Sequence, residues 1–313
     1  MFQGHGGLAI EGDHLDFSYA AKDAWPKLTE KGSLRAFIFG IGDEQVGPMI
    51  QLGLVSIRDD EPLDWRHSID PLHHHGSDQF RTILRGQWSL AGRKLNPGDY
   101  SFQESGMVYQ EHPVAPENWM MLVMGDRRGN QATIATKKDE LTVFEYDEIY
   151  GAPVEGRPYP LPEGNRGTAA VATTGGSCVR GFVNGRGEAL SEGAAISGLL
   201  GEPTAGPAIH VVKAGPGETI LPASLWETEL LIAVVAGSVR IGERPYHAGE
   251  IRVQSAEAPL PAVSTAEAAA QVVLVRGDRR AAAHFEGAAA PAWIADATAL
   301  HAHLVPRPGG QAH

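Results

Sequence analysis

Cysteine is almost absent: one residue, Cys178, in 313. No intrachain disulfide can form, and a reducing compartment is the expectation. Long apolar runs are also missing, since the longest, Leu230 to Ala236, falls far short of the roughly 20 residues that span a bilayer as a helix. The first residues, Met-Phe-Gln-Gly-His-Gly-Gly, have no basic stretch followed by an apolar core, which is the pattern of a secretory signal. A cytoplasmic protein is expected. Basic residues are few, 26 against 38 acidic ones for a net charge of -12, so phosphate backbones and anionic membrane surfaces are repelled overall. Neither a nucleic acid nor a membrane is expected as partner; a small-molecule substrate is.

Turn formers are plentiful, with 38 Gly and 21 Pro separating short β-branched runs. That pattern favours an all-β fold over a helical one. Hydrophobic residues make up 42% of the chain, enough for a sizeable core, and the length suits two domains. Strands are expected from Met49 to Ile57, Gln79 to Leu84, Trp88 to Leu90, Tyr100 to Gln103 and Trp119 to Met124. The apolar pattern fades over residues 146–205 and returns at Ile209 to Lys213, Leu230 to Val235, Ser238 to Ile241 and Val272 to Val275. The reading is therefore a first unit over 1–145, a connection over 146–205 that can hide strands, and a second unit over 206–313. Near the end, Pro291 opens an alanine-rich stretch that predicts a short C-terminal helix docking through Trp293 and Leu300, with a tail after Pro306. His301 and His303 would lie two apart on that helix, and such residues do not face one another.

The two units repeat one another. Val123-Met-Gly-Asp-Arg-Arg-Gly recurs as Val275-Arg-Gly-Asp-Arg-Arg-Ala at an offset of 152, while Gly86, Gly98 and Gln103 match Gly237, Gly249 and Gln254 at an offset of 151.

The chemistry concentrates in Leu72 to Gly86, Leu-His-His-His-Gly-Ser-Asp-Gln-Phe-Arg-Thr-Ile-Leu-Arg-Gly. On a strand, alternate side chains share a face, so His73 and His75 converge while His74 points away. Neutral imidazoles are common ligands of transition metals. The alternative is a polar histidine run at the surface. Gln79 offers an amide oxygen as a further ligand. Tyr109-Gln-Glu-His112 offers a third donor, either the Tyr109 phenolate or His112, with Tyr109 equally readable as a hydrogen-bond donor to the site. Arg81 shares the parity of Gln79, so its guanidinium points inward and must be neutralised. Its partner is either a carboxylate substrate, in which case Arg81→Lys weakens binding and spares stability, or an internal acid, Glu104 or Glu111. In the repeat, His73, His75, Gln79 and Tyr109 become Ser224, Trp226, Leu230 and Leu260. The second unit is therefore expected to hold no metal, with Trp226 and Leu230 filling the space.

The spacing His-x-His, three residues, Gln79, six residues, Gly86 resembles the first motif of the cupin superfamily, which has Glu at the Gln79 position. Gly98-Asp99 through Tyr109 resembles the second motif, with Glu104 for its proline and Tyr109 for its ligand histidine. The first motif with Arg81 is also similar to that of gentisate-type ring-cleaving dioxygenases. The resemblance implies two double-stranded β-helix, or jelly-roll, barrels in a homo-oligomer, with one divalent transition metal per chain. Fe(II) is favoured, with zinc, manganese and nickel as alternatives. It implies a metal-dependent enzyme acting on a small carboxylate-bearing substrate, an Fe(II) dioxygenase first. The alternatives are a metal-dependent lyase, isomerase or hydrolase, and a non-catalytic small-molecule-binding bicupin. Arg81 and Tyr109 are the catalytic candidates, and His73, His75, Gln79, Tyr109 and His112 the metal candidates.

Overall fold

The structure is a computed structural model that describes residues 10–26, 34–56, 73–90, 93–103, 105, 109, 111–129, 132–134, 170–172, 177–179, 182–202 and 204–294. Leu300, His301, His303, the tail and Glu104 lie outside the described residues. Two seven-stranded antiparallel sheets dominate. The first runs Ser177–Val179, Phe182–Gly185, Tyr100–Gln103, Gln79–Arg85, Glu117–Met124, Met49–Ser56, Leu34–Gly40 in spatial order. The second runs His14–Ser18, Glu250–Gln254, Leu230–Ala236, Ala270–Arg276, Ala208–Ala214, Ala195–Leu199, Ala170–Ala172.

Strand alternation explains how these sheets meet. Phe80 and Leu84, Tyr100 and Phe102, and Trp119 and Val123 share one face of the first sheet. They join Ile209 and Val211, Leu231, Val253 and Val275 of the second in one continuous apolar core. Burial of each such side chain stabilises the fold by about 1.5–3 kcal/mol, so the sheets are held face to face. Their other faces turn outward from that interface and close into two barrels. The first barrel is completed by His73–His75 with Ala132–Ile134 and by a three-stranded sheet of Arg93–Leu95, Trp88–Leu90 and Glu111–Pro113. The second is completed by a four-stranded sheet around Ser238–Ile241 and a three-stranded sheet around Ser224–Trp226. The all-β, two-barrel expectation is met.

The repeat is a matter of register as well as sequence. His73 pairs with Tyr109 across an isolated bridge, and Ser224 pairs with Leu260 at the same place in the second barrel. Gln79 lies opposite Gln103, and Leu230 opposite Gln254. The Gly-Asp-Arg-Arg turns are also alike: Asp126 Oδ1 accepts the Arg128 amide at 2.9 Å, and Asp278 Oδ1 the Arg280 amide at 2.8 Å.

The barrels exchange edge strands. His14–Ser18, which precedes the first barrel, pairs with Glu250–Gln254 of the second, and Phe182–Gly185, which precedes the second, pairs with Tyr100–Gln103 of the first. An unpaired sheet edge is thereby covered in each case. The stretch 146–205 thus contributes Phe182–Gly185 to one large sheet and Ala195–Leu199 to the other. Glycine hides these strands from a hydrophobic pattern, and it is required there by packing. A Cβ on Gly185 would lie 1.8 Å from the Tyr100 ring, and one on Gly198 2.0 Å from the Phe102 ring.

The second barrel holds an apolar cluster of Trp226, Leu230, Ile232, Leu260 and Leu274. Residues 292–294 are helical, and Trp293 and Ile294 pack on that cluster. One polar group is trapped beneath them. His210 is 2% exposed, its Nδ1 lies 2.7 Å from Ser197 Oγ, its ring lies 4.8 Å from Trp293, and its Nε2 has no partner among the described residues. Burial, aided by the charge of Arg276, pushes the His210 pKa down to about 3. Between the ordinary histidine value and that one, the unfolded chain binds a proton that the folded chain refuses, so stability falls as pH falls, by up to about 1.4 kcal/mol per unit. We expect urea unfolding to show wild type losing about 1–2 kcal/mol more than His210→Gln between pH 7 and pH 5. Parallel profiles for the two proteins would show that His210 takes up its proton in the folded state.

Candidate metal centre

The His73–His75 strand is short because Gly76-Ser77-Asp78 turns the chain at once into Gln79–Arg85. Asp78 is fully buried and fixes that turn: its Oδ1 accepts the Ser105 amide at 2.8 Å and its Oδ2 the Gly201 amide at 3.2 Å. Ser77 Oγ accepts the Asp126 amide at 2.8 Å. The histidine strand is anchored on its other side by reciprocal backbone bonds between His73 and Tyr109 at 3.0 and 2.9 Å.

Parity then does what the pattern requires. His73 and His75 are buried, with ring centroids 5.3 Å apart at an interplanar angle of 83°. The Tyr109 ring joins them, 4.3 Å from His73 and 6.3 Å from His75. The Tyr109 hydroxyl donates to Gln79 Oε1 at 3.1 Å and accepts from Arg81 Nη2 at 2.5 Å. Burial pushes the phenol pKa up; Arg81 and Gln79 oppose that shift without cancelling it. Gln79 is therefore held with its oxygen toward Tyr109, and its Nε2 has no partner among the described residues. As oriented, the free end of the amide is a donor, which suits an acceptor atom and not a cation.

Arg81 is among the largest fully buried side chains, 1% exposed, and its counter-charge is internal. Nη2 lies 3.1 Å from Glu111 Oε1, Nη1 donates to Gln103 Oε1 at 3.1 Å, and Trp88 Nε1 donates to the second Glu111 oxygen at 2.9 Å. Burial works against the guanidinium charge, but Glu111 and Tyr109 outweigh it and hold its pKa up. Of the two ways to neutralise Arg81, the described residues show the internal acid. Both terminal nitrogens are engaged, so the bidentate grip on a substrate carboxylate is not available. Only Nε lacks a partner among the described residues.

His112 is not brought to the pair. Glu111 faces inward, so the next residue on the strand, paired with Ser89, faces the opposite way and is half-buried. No three His, Cys, Asp or Glu side chains among the described residues form a group able to share an ion. Sequence reasoning missed Ser101, which lies opposite Arg81 in register, is 1% exposed, and has an Oγ without a partner among the described residues. Its signal was the parity it shares with the repeat-matched Gln103. An apolar wall of Met49, Leu122 and Met124, with Ile38 against it, borders the polar residues.

Chemically, two imidazoles on one face fit one divalent ion, and the neighbouring amide, guanidinium Nε and hydroxyl fit an oxygen acceptor. The second barrel has neither feature at the matching positions. Trp226 Nε1 donates to Ser224 Oγ at 3.0 Å, Ile232 stands in place of Arg81, and Arg252, in place of Ser101, donates to Gln254 Oε1 at 3.0 Å and to the Tyr246 hydroxyl at 3.2 Å.

Two antiparallel β-barrels related by an internal repeat make up the fold. Solved structures to which the chain is similar are cupin-superfamily proteins. They include a salicylate 1,2-dioxygenase from Pseudaminobacter salicylatoxidans, at 11% identity over 84% of each chain with a TM-score of 0.49. Protein Ylba from E. coli aligns at 13% identity over 87% of this chain and 93% of that one, with a TM-score of 0.45. A Bacillus subtilis oxalate decarboxylase variant aligns at 14% identity over 95% of this chain and 85% of that one, with a TM-score of 0.41. No protein-family model and no curated protein matches the chain. At such identities and TM-scores, no residue or activity passes from those proteins to this one.

Removing one member of a buried ion pair strands the other, at a cost of about 3–5 kcal/mol. Glu111→Gln and Arg81→Met are each expected to destabilise by that order in urea unfolding, and the double variant Arg81→Met/Glu111→Leu to recover much of the loss. Additive losses in the double variant would contradict the pairing.

Proposed function

We propose that the first barrel is a metal-dependent enzyme site for a small organic substrate. His73 and His75 hold one divalent transition metal, Fe(II) by first choice and zinc, manganese or nickel otherwise. Such an ion supplies dioxygen chemistry or Lewis-acid polarisation when bound. The observation that carries the reading is the pairing of two convergent imidazoles with three buried donors that have no partner among the described residues, Gln79 Nε2, Arg81 Nε and Ser101 Oγ. Unpartnered buried donors are costly, by about 1–3 kcal/mol each, and their presence beside the histidines favours a ligand oxygen as the missing partner. A carboxylate or carbonyl oxygen meets that need through single hydrogen bonds. Tyr109 positions the site by linking the His73 strand to Arg81 and Gln79, and the methionine wall excludes water. An Fe(II) dioxygenase is the first activity to test. A metal-dependent lyase, isomerase or hydrolase is the second, favoured by a neutral donor set that leaves the charge of the ion undiminished.

The test is elemental analysis of protein purified without a histidine tag, followed by turnover and oxygen uptake with small aromatic and aliphatic carboxylates. About one metal per chain is expected in wild type, with loss of binding in His73→Ala/His75→Ala. Full occupancy in that double variant would sink the proposal, and so would metal bound between Ser224 and Trp226.

A further inference from the structure

Outside the interior of the first barrel, a cleft of about 280 Å³ opens between Arg93–Leu95 and the crossing residues Asn184, Gly185 and Arg186. Packing dictates its shape. A Cβ on Gly185 would meet the Tyr100 ring at 1.8 Å, and one on Gly187 would meet the Gly98 carbonyl oxygen at 2.5 Å. Glycine at both positions lets the crossing segment lie flat against the first barrel, and the side chain between them, Arg186, is left exposed at the cleft. Arg93 and Lys94, both exposed, line the opposite wall.

The one acid in the lining is committed to the scaffold. Asp99 Oδ2 accepts from the Asn96 amide at 2.9 Å and from Asn96 Nδ2 at 3.3 Å, and its Oδ1 accepts from the Gly187 amide at 3.0 Å. Lys94 and Arg186 make no ion pair among the described residues. These two cations, with Arg93 beside them held by a contact of its own, line one concave surface on a chain whose net charge is -12. Like charges gathered around a cleft raise the local concentration of the opposite sign, and guanidinium forks match tetrahedral oxyanions. The volume lies near the lower limit of ligand pockets, about 300 Å³, which leaves room for one phosphate group and a small body.

We infer that this cleft binds a phosphate-bearing small molecule, or inorganic phosphate itself, through Arg93, Lys94 and Arg186. Bound there, it bridges the first barrel and the segment leading to the second. A single carboxylate would engage the three cations less completely.

The test is calorimetric titration of wild type with inorganic phosphate, glycerol 3-phosphate and acetate at about 0.15 M ionic strength, where surface charges are screened beyond roughly 8 Å. The same titrations are made on Arg93→Ser/Lys94→Ser/Arg186→Ser and on His73→Ala/His75→Ala. Wild type should bind one or both phosphates more tightly than acetate; tighter binding of the ester marks an organic phosphate as occupant, and equal or weaker binding marks the free ion. The triple variant should weaken phosphate binding at least tenfold with an unchanged melting temperature in phosphate-free buffer. The histidine variant should bind phosphate like wild type, which separates this site from the metal reading. The inference is overturned by undiminished phosphate binding in the triple variant, by acetate binding as tightly as phosphate, by no phosphate binding at this ionic strength, or by loss of binding in the histidine variant.

Discussion

The guanidinium of Arg81, buried at the centre of the first barrel, is the constraint on which the site depends. A charge there is tolerable only if it is paired and its hydrogen bonds are met. Glu111 supplies the counter-charge, Trp88 fixes Glu111, and Tyr109 and Gln103 each accept a further terminal N–H. Because Tyr109 is bonded through its backbone to His73 and through its hydroxyl to Gln79, the same network orients the histidine strand and the amide. The network therefore places the imidazoles and holds beside them donors that have no partner among the described residues.

The second barrel shows the fold without that constraint. Ile232 removes the interior charge at the Arg81 position, and Trp226, Leu230 and Leu260 fill the volume with apolar contacts. Arg252 appears instead on the facing strand, with partners in Gln254 and Tyr246. The first copy of the repeat carries Arg81 and the histidine pair inside, and the second carries Ile232, Ser224 and Trp226 at the matching positions. The exchanged edge strands and the apolar core between the large sheets make the two copies one unit, so the filled barrel stabilises the polar one. This division suits a site that is expensive in stability, since the cost of buried polar groups is offset elsewhere in the same chain.

Much of this was legible in the sequence, for physical reasons. Strand parity alone paired His73 with His75 on one strand and Gln79 with Arg81 on the next, and the offset of 151 between Gly86 and Gly237 gave the register of the second barrel. The parts that were not legible share two causes. Strands at Phe182–Gly185 and Ala195–Leu199 contain glycines demanded by Tyr100 and Phe102, aromatic residues far away in sequence, so their apolar pattern is thin. The partner of Arg81 is set by a strand about thirty positions later, where a one-residue change of parity exchanges Glu111 for His112. The same parity kept His112 away from the histidine pair. Ser101 escaped notice because a serine between two aromatic residues has no pattern of its own; only the strand opposite gives it meaning.

The central claim is that one ion binds through His73 and His75 and nowhere else in the chain. Anomalous diffraction at the absorption edge of the metal, on crystals of the untagged protein, tests it most directly. The account predicts one anomalous peak within about 2.0–2.2 Å of an imidazole nitrogen of each histidine and none inside the second barrel. A principal peak away from both rings, or a matching peak between Ser224 and Trp226, would contradict it.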